Sequence, residues 1–326
     1  LHRKQKTVLQ KLFISLPGKT TYTVYEHAIN GEVGFVFTAF NKKSKVSFTV
    51  AQTEDESFEP HLREDILKPH NLQKEQYLNL LQRTIAHIKE EQLGKIVVSR
   101  AAYYLQPINP VSVFKKLVKA YPSACVYLLT HPKAGTWMGA TPELLLKSED
   151  EAVSSMSLAG TRKKGEESGF TDKEVHEQQM VTDFIYSIFL DNPNLTGITK
   201  NDPQLHEAGN LVHFKTEIKA QLQRGFQVLP FVKQLHPTPA VAGFPRMKAL
   251  EFIAGHEGYD REFYAGFFGL KGRYDFQFFV NLRCMQIFDN SVVLYAGGGI
   301  TKDSDPTAEW EETEDKLQTL LKVLQS

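Results

Sequence analysis

Two ionisable residues stand beside apolar runs, where the loss of water changes what a side chain can do. Lys95 opens Ile96-Val97-Val98, and a lysine drawn into such a wall loses hydration, which favours the neutral amine of a general base. The plainer alternative is a strand-end lysine whose stem covers apolar surface while its ammonium stays wet. Glu143 ends Gly139-Ala140-Thr141-Pro142-Glu143 and precedes Leu144-Leu145-Leu146. Desolvation there favours the protonated carboxyl, a general acid. A base and an acid shifted in opposite directions suit a site that moves protons.

Carboxylates also occur where helices should be apolar. Glu309, Glu312 and Lys316 are spaced three and seven residues apart, so at ~100° per residue they project within about a 60° arc. Leu320 lies roughly 20° from Glu309 on the same wheel, which turns Glu309 toward the interior or its rim. Glu174 and Glu177 repeat the arrangement one turn apart, with Glu177 heading a stripe of Val181, Ile185 and Ile188. Acids in a first turn also offset the helix dipole, and Thr171 with Glu174 has the spacing of a capping box, the preferred reading for Glu174 alone. Glu177 and Glu309 continue apolar stripes, where an unpaired carboxylate is costly. Oxygen donors without thiolates or paired imidazoles select a hard ion, and Mg2+ is the expected cofactor.

The elements that must position these residues follow from periodicity. Alternation predicts strands over residues 21–28, 34–40 and 45–51, then a charged connection over 52–71. Residues 72–92 read as an amphipathic helix stopped by Gly94. A strand over 95–105, a helix after Pro110 and a run of short strands within 124–157 come next, then a helix from Thr171 to Leu190. Strands near 212–222, helices over 228–235 and 245–256, and strands over 263–270, 276–288 and 292–296 lead to a last helix from Asp305 to about Leu324, with Pro306 in its first turn. Strands mostly follow strands, so the expected class is α+β, with largely antiparallel β-sheets and helices packed outside.

Several familiar signatures fail. Gly18-Lys19-Thr20 lacks the glycine five positions earlier, where Phe13 stands, so it is no phosphate loop. His176-Glu177 has Met180 where a zinc protease needs its second histidine. Gly297-Gly298-Gly299 has the wrong spacing for a dinucleotide loop and reads as a tight turn, or as backbone that a small anion approaches.

The 326 residues balance 38 Lys+Arg against 38 Asp+Glu, with 41% hydrophobic residues, so no charge surplus draws nucleic acid or an anionic membrane. Cys125 and Cys284 are too few for a disulfide framework, no run approaches the ~20 apolar residues that span a bilayer, and no charged-then-apolar leader follows Leu1. A reducing cytoplasm is the expected setting.

Taken in order, several stretches resemble the chorismate-utilising enzymes and specifically the isochorismate synthase branch. They are Lys95-Ile96-Val97-Val98-Ser99-Arg100, Gly139 to Glu143, Leu158-Ala159-Gly160-Thr161-Arg162, His176-Glu177, and His236-Pro237-Thr238-Pro239-Ala240-Val241. Tyr264-Ala265-Gly266, Leu282-Arg283, Gly297 to Ile300, Glu309-Trp310-Glu311-Glu312-Thr313 and Lys316 complete the set. The matches cover roughly residues 95 to 320, and their order makes them far more specific together than any one alone.

The resemblance implies a chorismate-binding fold similar to anthranilate synthase component I, and an isomerase that converts chorismate to isochorismate with Mg2+. Water adds at ring carbon 2 while the hydroxyl at carbon 4 departs. On matching positions, Lys95 would activate the water and Glu143 would protonate the leaving hydroxyl. Glu177 and Glu309 would hold Mg2+ against a substrate carboxylate, supported by Glu174 and Glu312. Arg283, Tyr264, Lys316 and the amides near Gly298 would take the other carboxylate, and Gly160, Thr161 and His213 would line the ring site.

Two positions separate this chain from sister enzymes. Ala240 stands where a threonine helps admit ammonia in the anthranilate and aminodeoxychorismate synthases, so water is the expected nucleophile. Ala159 stands where aminodeoxychorismate synthases place a nucleophilic lysine, so no covalent adduct is expected. A salicylate synthase, which goes on to eliminate pyruvate, and a non-catalytic binding homologue are the alternatives. The expected organisation is one chorismate-binding domain over 1–326, in which 1–94 carry no matching motif and 95–326 form the catalytic region. Its product would feed menaquinone or a catecholate siderophore, with chorismate as partner and a monomer or weak dimer as assembly.

Overall fold

The structure is a computed structural model and describes residues 10–63, 73–163, 165, 172–208, 211–273 and 275–326. Residues Leu72 and Thr171, where two helices were expected to begin, lie outside the described residues.

Four strands come first, β1 (Lys11–Ser15), β2 (Thr23–His27), β3 (Val33–Thr38) and β4 (Lys45–Thr53). Helix α1 (Lys74–Glu91) ends on Gln92, whose left-handed φ of 51° turns the chain so that the following Leu93 N–H reaches the Ile88 carbonyl at 3.0 Å. Strand β5 (Lys95–Tyr104) leads to α2 (Pro110–Ala120), which Asn109 caps by accepting from the Ser112 N–H at 3.0 Å. Strands β6 (Cys125–His131), β7 (Gly135–Thr141), β8 (Leu144–Glu149) and β9 (Ala152–Lys163) precede α3 (Asp172–Leu190). Then come β10 (Leu195–Lys200), β11 (Gln204–Ala208), β12 (Leu211–Leu222), α4 (Val228–Leu235), β13 (Gly243–Phe244) and α5 (Arg246–His256). The chain finishes with β14 (Phe267–Lys271), β15 (Phe276–Val280), β16 (Cys284–Ile287), β17 (Val292–Ile300) and α6 (Pro306–Leu324).

Every strand pairing among the described residues is antiparallel, and together the pairings make one continuous ribbon. It runs β13–β5–β17–β16–β7–β6–β1–β2–β4–β3–β14–β15–β8–β9–β12, with β10 and β11 both on β12. The ribbon folds on itself around an aromatic core in which Phe37 stacks on Phe263 at 4.2 Å. A second core, between the sheet and helices α2 and α6, contains Phe114, Met138, Leu294, Leu317 and Leu320. The arrangement bears out the α+β class with antiparallel sheets. Cys125 and Cys284 are buried free thiols, and no described helix is long and apolar enough to cross a membrane.

Three expectations need correction. Gly297-Gly298-Gly299 is not a turn: the glycines extend β17 to Ile300, opposite Ser99, Val98 and Val97 of β5. Ladder hydrogen bonds to β5 hold them extended although their own propensity does not. Residues 263–266 do not start the strand: 262–265 form a turn, because Glu262 and Ala265 take left-handed φ of 47° and 56°. The strand expected over 276–288 breaks at 281–283, where Arg283 has a φ of 46°. Strands β1, β10 and β11 were not expected at all; β10 is mostly exposed and exists by pairing with β12.

Candidate active site

Strand β5 carries Lys95 at its first residue, where Phe244 of β13 pairs with it on one side, and the side chain is 3% exposed. Glu143, 5% exposed, follows β7 and is fixed by its own backbone, since its carbonyl accepts from the Val280 N–H at 3.0 Å. Both line one cavity of ≈ 100 Å³, together with Glu177 of α3, His213 of β12 and Ala240. Tyr264, Arg283, and Glu312 and Lys316 of α6 close its other walls. Nine residues singled out from scattered parts of the sequence therefore converge on one place.

Electrostatics follow from burial. Desolvation pushes the Glu143 carboxyl up to about 7, against the pull of Lys95, Lys316 and Arg283. The carboxyl is thus poised to hold a proton near neutrality. Burial, aided by Arg283 and Lys316, takes the His213 imidazole down to about 3, so the ring is neutral. Lys95 Nζ lies 3.8 Å from Glu177 Oε1.

The glycines of β17 explain how these groups fit. A Cβ on Gly299 would stand 2.3 Å from Lys95 Cε, 2.8 Å from its Nζ and 3.0 Å from Glu177 Oε1. Gly297 similarly leaves room for the Tyr264 hydroxyl, 3.1 Å from its Cβ position, and its carbonyl accepts from Lys316 Nζ at 2.8 Å. Glycine is required because backbone and functional side chains approach so closely. Arg283 is held in its left-handed conformation by the bond from the Ala140 N–H to its carbonyl, 3.0 Å, and its Nη1 donates to the Lys316 carbonyl at 3.3 Å. Such backbone strain is retained where surrounding bonds over-determine it.

Not every expected residue reaches the cavity wall. Glu309 is buried on α6, accepting from Ser304 Oγ at 2.6 Å, with its Oε2 3.0 Å from the Cβ position of Gly298. Glu174, one turn before Glu177, is partly buried and does not line the cavity. Thr161 stands opposite His213 in the β9–β12 register, and Gly160 is the extra residue of the bulge beside it. Residues that the motifs did not point to also line the cavity, notably Arg261 and Tyr295, the latter stacked on Tyr264 at 5.3 Å. Arg261 and Glu257 sit four apart, a spacing that in sequence is indistinguishable from a surface ion pair.

The donor chemistry of the acidic wall suits a hard divalent cation. Among the described residues no group of three or more His, Cys, Asp or Glu stands ready to hold a metal. Mg2+ typically takes one or two protein carboxylates and completes its shell with water and substrate; the carboxylates at the cavity are Glu177 and Glu312, the latter paired with Lys316, with Glu309 beside Gly298.

Comparison with known proteins identifies the family. Residues 2–325 match the family described as chorismate binding enzyme. The chain is 30% identical over 257 residues to isochorismate synthase EntC of Escherichia coli K12, covering 75% of this chain and 66% of that protein. It is also 30% identical over 267 residues to isochorismate synthase MenF of Bacillus subtilis, covering 78% of this chain and 56% of the relative. The aligned region thus spans somewhat under two thirds of these relatives' length. Among solved structures, a putative 2,3-dihydroxybenzoate-specific isochorismate synthase, DhbC from Bacillus anthracis, superposes with a TM-score of 0.83 at 26% identity, covering 98% of each chain.

Proposed function

Because the chain belongs to the chorismate-binding enzyme family, we propose that it is an isochorismate synthase, an isomerase that converts chorismate to isochorismate. The observation that carries this reading is that Lys95 and Glu143 line one cavity, with burial holding Glu143 near 7. Lys95 takes a proton from the water that adds at ring carbon 2. Glu143 delivers its proton to the carbon 4 oxygen, which leaves as water, so the ring exchanges one hydroxyl for another and the double bonds shift between them. A protonated acid at neutral pH is what the departing hydroxyl requires.

The rest of the cavity orients a dicarboxylate. Arg283 offers a planar fork and Lys316 a point charge to one carboxylate, with the Tyr264 hydroxyl beside them. Glu177, Glu309 and Glu312, with Glu174 in support, would hold Mg2+, and the ion would supply positive charge to neutralise the second carboxylate against an otherwise repulsive acidic wall. His213, with the bulge at Gly160 and Thr161, borders the ring, and Ala240 leaves its side of the cavity to water.

The test is product analysis by chromatography after incubating the protein with chorismate, with and without Mg2+. Isochorismate formed only with the metal, and without matching pyruvate, is the expected result. Sustained stoichiometric pyruvate would replace this reading by a salicylate synthase, and no turnover would remove the enzyme reading altogether.

A further inference from the structure

The edge of β5 beyond Lys95 has a gap in its ladder. β13 pairs with it only through Gly243–Ile96 and Phe244–Lys95, and the Val97 N–H adds one more bond, to the Ala242 carbonyl at 2.9 Å. Past that point no strand among the described residues covers the Val97 carbonyl or the Ser99 N–H on that side, yet both residues are buried. An ion pair takes the place of the missing strand. Arg261 Nη2 donates to the Val97 carbonyl at 2.7 Å, and Glu257 Oε1 accepts from the Ser99 N–H at 2.6 Å and from Ser99 Oγ at 2.8 Å.

The same ion pair reaches two further walls of the cavity. Arg261 Nη1 donates to the Val241 carbonyl at 2.9 Å, beside Ala240, and the Arg261 carbonyl accepts from the Tyr264 N–H at 2.9 Å. Arg261 is locked to Glu257 through Nε and Nη2, both at 2.7 Å, and its guanidinium lies 4.3 Å from the centre of the Phe40 ring. Four of its donor contacts are thus made within the protein, and both charged groups are 2% exposed. A fork of five N–H donors is what allows one side chain to hold three elements at once; a lysine with the same charge has neither the reach nor the planarity.

We infer that Arg261, with Glu257, is a positioning residue that sets the strand bearing Lys95 against the Ala240–Val241 wall and against Tyr264, and so fixes the base relative to the bound ring. This rests on the isochorismate synthase reading for its catalytic consequence, though not for the clamp itself. One substrate carboxylate is gripped by Arg283 and Lys316, whose hydrogen bonds go to α6 and β17 and not to Arg261 or Glu257. Loosening the clamp therefore misplaces the base without removing the grip.

The experiment is Arg261→Lys in the full chain, with activity counted per folded molecule from near-ultraviolet circular dichroism. The expected result is a kcat about 100-fold lower with KM for chorismate within about 3-fold of the wild type, the signature of lost alignment and not of lost binding. A folded variant with unchanged kcat, or with the loss carried by KM alone, overturns the inference. If Arg261→Lys does not fold, Ser99→Ala carries the test, because it removes the hydroxyl's bonds to Glu257 and to the Tyr259 hydroxyl and leaves the ion pair; kcat is expected to fall about 10-fold at constant KM, and an unchanged kcat overturns the inference. Amide hydrogen exchange separates this inference from the reading it rests on. Faster exchange confined to residues 95–99 and 238–242 in the variant supports the clamp even if the wild type proves inactive on chorismate, and exchange that is unchanged or raised throughout contradicts it.

Discussion

Ser304 Oγ donates a hydrogen bond to Glu309 Oε1 at 2.6 Å while accepting one from the Thr301 N–H at 3.1 Å, so the carboxylate is aimed by the turn between β17 and α6. Asp305 caps the same helix by accepting from the Ala308 N–H at 2.8 Å, and Arg100 binds Thr313 Oγ1 at 2.8 Å while lying 4.0 Å from the Trp310 ring centre. The acidic face of α6 is therefore anchored at its start and along its length.

A carboxylate aimed in this way should lose metal affinity when its partner goes. Ser304→Ala is expected to weaken Mg2+ binding by about 10- to 100-fold, read by isothermal titration calorimetry without substrate, because partners of metal ligands typically carry that much affinity. Affinity equal to or tighter than the wild type would show that Glu309 does not hold the ion.

Glu143 couples activity and stability to pH in a defined sense. Its folded-state value of about 7 lies above the ordinary 4.5, so the folded state binds this proton more tightly than the unfolded chain does. The stability it contributes is complete below the ordinary value and is lost as pH rises through about 7, a total of ~3 kcal/mol. Glu143→Gln carries no such proton. It should match the wild type in thermal unfolding at low pH, unfold at higher temperature than the wild type above pH 7, and be inactive throughout. The wild-type rate should fall on the alkaline side as Glu143 loses its proton, one limb of a bell whose apparent values belong to the coupled acid and base. A wild-type melting curve indifferent to pH through this window would refute the assignment.

The position of Gly299 makes a third case. Its Cβ position is 2.3 Å from Lys95 Cε, so Gly299→Ala must displace the lysine or Glu177 while leaving the backbone pairing with Val97 intact. The expected outcome is a loss of about 100-fold in kcat with near-native circular dichroism. Full activity in a folded variant would mean that the Lys95 amine does not work from its present place.

The parts of the site that could be read from residue pattern alone are those whose burial contradicts their polarity, whereas Arg283, Tyr264, His213 and Ala240 could be named only through the family resemblance. Lys95, Glu143 and Glu177 interrupt apolar runs, and Glu309 shares a helical face with Leu320, so each advertises an interior role before any coordinates exist. What stayed hidden depends on partners far away in the chain. The triple glycine has no strand propensity, and only β5 makes it extended. Phe263 and Tyr264 have the composition of a strand, but the left-handed residues on either side bend them into a turn that aims Tyr264 at the cavity. Arg261 gives no local signal, since its acceptors Val97 and Val241 are backbone carbonyls from other elements.

The proposed chemistry requires that Lys95 activate a solvent water in the cavity it shares with Glu143. Turnover of chorismate in water enriched in oxygen-18, followed by mass spectrometry of the isochorismate, reads that step. The prediction is one heavy oxygen in the product, located in the hydroxyl at carbon 2, with Lys95→Ala abolishing product formation. Unlabelled isochorismate from the wild type, or labelled isochorismate formed at an undiminished rate by Lys95→Ala, would contradict it.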